Sequence, residues 1–250
     1  NLIRLGLTFY LISVGMLTPV SAIGIFALAN FIAFVFGAIL LAKLKGLTFF
    51  RFDQARIIFP EVFAYSRNIA ISFGMSSVSA KIDVPIIYFL GGPTTVGLYS
   101  SAQKLTSVLS QLAGAIENVF SPKFSNGGNI AHHFKDYFLI NGFFAGLLIL
   151  AIPFTGFLVP LIFGEKYILA IGVLNLLLAG LALFFLTGPL TAFILYARGK
   201  SIFLIAGSFL QLVVTLILYF LLIPTMGATG AAIAFVGANL VSLIYYAWLK

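Results

Sequence analysis

Five charged residues fall inside two adjacent apolar segments of this 250-residue chain. Lys81 and Asp83 lie in one segment and Lys104 in the next, with Arg67 and Glu117 toward the far ends of the same two. A charge at a bilayer centre costs about 2.5–3.5 kcal/mol on insertion scales, so such residues face a bundle interior or a wet cavity. A lysine there can hold a phosphate, and a carboxylate can pair with the lysine or titrate. The two segments are joined by Gly91-Gly92-Pro93-Thr94, which predicts an antiparallel helical hairpin. At about 1.5 Å rise per residue, Lys81 lies roughly 17 Å, Asp83 roughly 13 Å and Lys104 roughly 18 Å from that turn. All three then sit near the middle of a hydrocarbon core about 30 Å thick. Arg67 and Glu117 match in depth at the opposite mouth.

Polar residues extend the pattern. Glu61, Tyr65, Asn68, Ser72, Ser76, Ser79 and Asp83 recur at spacings of three and four, as do Ser100, Lys104, Ser107, Gln111, Gly114 and Asn118. Such spacing puts side chains on one helix face. Two polar stripes inside membrane helices predict a water-accessible cavity lined by Ser76, Asp83, Lys104, Ser107, Gln111 and Asn118. The competing expectation is interhelical hydrogen bonding, since Ser, Asn and Gln also hold membrane helices together. Asp83 is a candidate partner for Lys104 when the cavity is empty. Lys81 points roughly 160° away from Asp83, beside Arg67, so its place on the cavity is open.

The elements that position these residues follow from composition. The chain is 62% hydrophobic and 8% charged, whereas a soluble domain is about 25% charged. The expected fold is an all-α polytopic membrane protein. Eight apolar segments reach spanning length, at 2–19, 22–43, 62–90, 95–120, 137–163, 168–197, 201–223 and 227–249. Pro85, Pro153, Pro160 and Pro189 are the expected kink points. Residues 44–60 are too polar to span and read equally as an interfacial helix or a connecting loop.

The loops carry the orientation signal. Arg4, Lys43, Lys45, Arg51, Arg56, Lys123, Lys135, Arg198, Lys200 and Lys250 fall on one side and only Lys166 on the other. The positive-inside rule makes the first side cytoplasmic, with residue 1 and the C-terminus there. The net charge of +8 thus reads as membrane topology and not as a nucleic-acid surface. No secretory signal peptide is visible, and the chain reads as a piece of a longer protein. Residues 2–43 and 203–250 echo one another as hairpins of like orientation, which suggests two like lobes. On that basis 1–43 are the last two helices of an N-terminal lobe, 44–60 a cytoplasmic linker and 61–250 a six-helix C-terminal lobe.

Catalysis has little support. The six carboxylates form no acid/base pair, and no phosphate loop, zinc motif or nucleophile elbow occurs. There is no cysteine. His132 and His133 lie in the loop segment Ser125–His133 with no ligand-type partners nearby in sequence, so they read as solvated and not as a metal site.

Residues 83–104 (DVPIIYFLGGPTTVGLYSSAQK) resemble the central signature of the polysaccharide, or O-antigen, flippase family of the multidrug/oligosaccharidyl-lipid/polysaccharide exporter superfamily. Residues 160–167 (PLIFGEKY) and 223–234 (IPTMGATGAAIA) are similar to later landmarks of that family. The resemblance implies a two-lobe transporter of twelve or fourteen helices in a bacterial or archaeal cytoplasmic membrane, of which this chain is a part. It implies a substrate of undecaprenyl-diphosphate-linked sugar repeat units, flipped by alternating access through a basic cavity. Membrane lipids surround such a protein, and a polysaccharide polymerase complex is an implied partner. Lys104, and with it Lys81 and Arg67, match the basic cavity role, and Asp83 matches the acidic position. No cofactor is expected beyond coupling to H+ or Na+, for which Asp83 is the candidate. The alternatives are a peptidoglycan-precursor flippase, a multidrug exporter of the same superfamily and, further off, a membrane glycan polymerase or ligase.

Overall fold

The computed structural model describes residues 19–43, 52–125 and 129–249, and it is helical throughout, with no strand among the described residues. Helix α1 is Pro19–Lys43, α2 Phe52–Ser125, α3 Ile130–Ala151, α4 Thr155–Phe163, α5 Ala170–Ala192 and α6 Ile202–Trp248. The expected span at 2–19 falls almost wholly outside these residues, and residues 44–51 fall wholly outside them. Of the segment 44–60, residues 52–60 are helical and form the start of α2. Five stretches among the described residues are long and apolar enough to cross a membrane.

The chain forms two compact units, residues 1–62 and 63–250. In the first, α1 buries Ile25 and exposes Phe31, Phe34 and Phe36. The second contains the site.

Two of the long helices are broken, each at a glycine. Gly92 interrupts α2 at φ 77°, ψ 178°, and Gly227 interrupts α6 at φ 56°, ψ −129°. Positive φ is disfavoured for residues with a Cβ and accessible to glycine. A continuous 74-residue α2 would run roughly 110 Å, far beyond a bilayer. The break at Gly92 instead returns the chain alongside itself, so that residues 83 and 103 meet. Thr95 sits at the junction of both turns: its hydroxyl donates to the Gly91 carbonyl at 2.6 Å, and its side chain is 3.6–3.8 Å from where a Cβ of Gly227 would lie.

The expected proline kinks are realised unevenly. Pro153 lies in the 3-10 turn Ile152–Phe154 that separates α3 from α4, whereas Pro160 and Pro189 lie inside α4 and α5. Pro85 stays within the helical first arm of α2.

Helix α5 is the central element, packed on both α3 and α6. It buries Val173, Leu177, Leu181 and Phe185 in the main apolar cluster. Its approach to α6 depends on small residues. A Cβ at Gly180 would collide with the Phe235 ring, and Ala231, Ala232 and Ala234 are fully buried. Close approach through small side chains is the usual packing device where lipid supplies no hydrophobic drive.

At the end away from the glycine turns, Phe120 stacks on Tyr137 at 4.8 Å, and the Lys123 ammonium lies 4.5 Å above the Phe120 ring. There too Arg198 donates to the Leu249 carbonyl at 2.8 Å.

Candidate functional site

A cavity of about 490 Å³ opens in the second unit between α2, α5 and α6. The first arm of α2 contributes Ser76, Ser79 and Asp83 to its wall, and the second arm contributes Gln103, Lys104 and Ser107. From α6 come Gln211, Thr215, Tyr219, Phe235 and Asn239, and from α5 Leu181 and Phe184.

Asp83 is the best-organised group in it. Its carboxylate accepts from the Val84 N–H at 2.9 Å, the Tyr99 hydroxyl at 3.2 Å and the Gln103 side-chain amide at 2.5 Å. Tyr99 is also hydrogen-bonded to Tyr219. One buried carboxylate thereby ties both arms of α2 to α6.

This arrangement corrects the expected pairing of Asp83 with Lys104. The two make no ion pair; His132 Nε2 lies 3.3 Å from the Asp136 carboxylate on the exposed start of α3. Three neutral donors already occupy the carboxylate, and Lys104 is left exposed on the cavity wall. Arg67 and Glu117 likewise form no ion pair among the described residues. No cluster of metal-ligating side chains occurs among them either, His132 and His133 included.

Of the eight residues expected on the cavity, Ser76, Asp83, Lys104 and Ser107 line it, whereas Lys81, Arg67, Gln111 and Asn118 do not. Lys81 and Arg67 are exposed elsewhere on the first arm. Gln111 makes a bond within its own helix, to the Ser107 carbonyl at 3.4 Å. The stripe on the first arm divides between the two expectations. Its lower part is spent on helix contacts: Asn68 donates to Ser201 at 3.2 Å, Ser72 bonds to Ser208 at 2.7 Å and to the Leu204 carbonyl at 3.2 Å, and Ser76 reaches Ser208 at 3.2 Å. From Ser76 upward the same face opens on the cavity.

The residues that sequence reasoning missed are Gln103, Tyr99 and the whole α6 wall. Gln211, Thr215 and Tyr219 are spaced by four and share one helix face, a signal present but uncharged.

Long apolar helices enclosing a polar cavity define an all-α protein of the membrane-embedded class. The chain is similar to the capsular polysaccharide biosynthesis protein CapF of Staphylococcus aureus, with 29% identity over 204 residues that cover 75% of this chain and 49% of CapF. It therefore spans about half the length of that curated relative. No protein-family model matches the chain, and no solved structure matches it.

Proposed function

We propose that the chain is part of a transporter that flips undecaprenyl-diphosphate-linked oligosaccharide units from the cytoplasmic to the outer leaflet, for assembly of a surface polysaccharide. The observation that carries this reading is Lys104, unpaired on the wall of a polar cavity inside apolar helices. A diphosphate crossing a low-dielectric slab loses its hydration, and a fixed cation offsets part of that cost. A single lysine does so without a chelating grip that would prevent release. The name of the similar Staphylococcus aureus protein, a capsular polysaccharide biosynthesis protein, points to the same area of metabolism. Movement proceeds by alternating access with no covalent chemistry, and Asp83 is the group through which H+ or Na+ would couple to it.

A multidrug exporter is the second reading, favoured by the same Asp83, since cationic drugs seek a carboxylate. The unpaired Lys104 on the same cavity wall argues against it, because a fixed cation repels cationic drugs.

The test is complementation of a flippase-deficient strain with the intact gene, wild type against Lys104→Ala, at matched membrane levels. Wild type should restore surface glycan. Lys104→Ala should lower glycan export by roughly 10- to 100-fold, the worth of one charge-assisted hydrogen bond, with lipid-linked units accumulating on the cytoplasmic side. Equal export by the variant would remove Lys104 from the path. Wild type that restores nothing, yet lowers sensitivity to cationic drugs, would replace the flippase reading with the exporter.

A further inference from the structure

The cavity wall is asymmetric in charge. Both of its ionisable groups of ordinary charge, Asp83 and Lys104, belong to the α2 hairpin, and the wall supplied by α5 and α6 carries neither carboxylate nor cation. That second wall is still polar. The Gln211 side-chain amide lines it with no hydrogen bond recorded to any described residue. Asn239 donates its amide to the Phe235 carbonyl at 2.8 Å, which leaves its side-chain oxygen as an acceptor directed by that anchor. Phe184 and Phe235 line the same cavity.

Uncharged donors and acceptors together with aromatic rings match a ligand of the same make-up. Anions and cations find no counter-charge on this wall. An alkyl chain would leave the Gln211 amide desolvated and unpaired. A neutral polyol ring satisfies both aspects, with hydroxyls toward the amides and C–H edges toward the negative faces of the aromatic rings. A volume of about 490 Å³ lies within the ordinary range for small-ligand pockets.

We propose that the α5–α6 wall reads the sugar hydroxyls of the transported unit, with Gln211 and Asn239 as specificity-determining residues, while Lys104 on the hairpin holds the diphosphate. This division of labour rests on the flippase reading above.

The experiment uses the intact protein in proteoliposomes and two fluorescent polyprenyl-diphosphate probes. One carries an N-acetylhexosaminyl disaccharide with free hydroxyls, the other the same disaccharide O-methylated. Wild type should move the hydroxyl probe at least about tenfold faster, because methylation leaves wall acceptors unpaired. Gln211→Ala and Asn239→Ala should each shrink that ratio by about three- to tenfold. Lys104→Ala should slow both probes and leave the ratio unchanged. A misfolded fraction lowers both rates together, so the ratio is insensitive to it. Equal rates for the two probes in wild type, or an unchanged ratio in Gln211→Ala, would overturn the wall assignment and leave the flippase reading standing. Movement of neither probe by wild type would remove both.

Discussion

Asp83 is a joint before it is a charge. Its three donors are the Val84 N–H of its own arm and Tyr99 and Gln103 of the returning arm, and Tyr99 is in turn bonded to Tyr219 of α6. Asp83→Asn keeps the shape but sets an amide NH2 either against the Val84 N–H or against both Tyr99 and Gln103, so at least one of the three donors loses its bond. Leaving one such buried group unsatisfied costs about 1–3 kcal/mol, and thermal unfolding of the purified protein in detergent should fall accordingly. If no ion pair is present, the Asp83→Asn and Lys104→Ala effects on stability should add to within about 0.5 kcal/mol. A larger coupling in that double-mutant cycle would restore the direct Asp83–Lys104 interaction. These residues also show what a sequence can reveal of a site. Asp83 and Lys104 are legible because charge is anomalous in an apolar run, and Ser76 and Ser107 because they share a face with them. Lys81 and Arg67 lie off the wall on the face that their helical angle gave them, away from Asp83. Gln111 and Asn118 share the stripe of Lys104 but also lie off the wall, because periodicity assigns a face and not the point where a neighbour closes over it. Here α6 closes it below Ser76, with Ser201, Leu204 and Ser208. Gln211, Thr215 and Asn239 carried no charge to announce them.

Two glycines shape the helices that hold this joint. Gly92 and Gly227 occupy backbone conformations that residues with a Cβ rarely adopt, so each substitution to alanine is strained even though Gly92 has open space around it. Alanine at either position should lower stability by about 1–3 kcal/mol. Gly97→Ala provides the contrast: it is a helical glycine with nothing within 4 Å of the added methyl, and it should be neutral or stabilising by up to about 1 kcal/mol. Melting curves of the three variants in one detergent would check this, and equal losses at Gly92 and Gly97 would contradict the turn argument. The Gly-Gly-Pro turn could be read from the sequence, and the hairpin with it. The proline expectations fared less evenly. Proline removes one intrahelical bond and can be tolerated inside a packed membrane helix, as at Pro85 and Pro189. Reversal of the chain demands backbone angles that glycine accommodates far more readily, and that is where the long helices break.

At the scale of the second unit, large apolar side chains cover much of the exterior, and some polar groups are buried in the apolar interior. Phe73, Phe89, Phe143 and Leu169 are exposed, while Ser72, Asp83, Asn141 and Asn239 are buried. Such an exterior suits lipid as the solvent, because hydrocarbon places no penalty on apolar side chains but a large one on unpaired polar groups. Orientation then follows from the ends of the helices in the second unit. Lys123, Lys135, Arg198 and Lys200 cluster away from the glycine turns, whereas the turn at Gly92 and that at Gly227 meet through Thr95 at the opposite end. Basic loops are retained on the cytoplasmic side, so the glycine turns should face outward. These 250 residues hold no cysteine, so single-cysteine variants can be made in them once any cysteine elsewhere in the intact protein has been replaced. Thr94→Cys and Thr225→Cys, both exposed at the turns, should react with a membrane-impermeant maleimide on intact spheroplasts. Ala131→Cys, exposed at the start of α3, should react only after the membrane is opened. The reverse pattern would invert the protein and with it the direction of transport. Labelling of Thr94→Cys and Ala131→Cys from the same side would mean that the second arm of α2 does not cross the bilayer, and the cavity between α2 and α6 would lose its place in a transmembrane path.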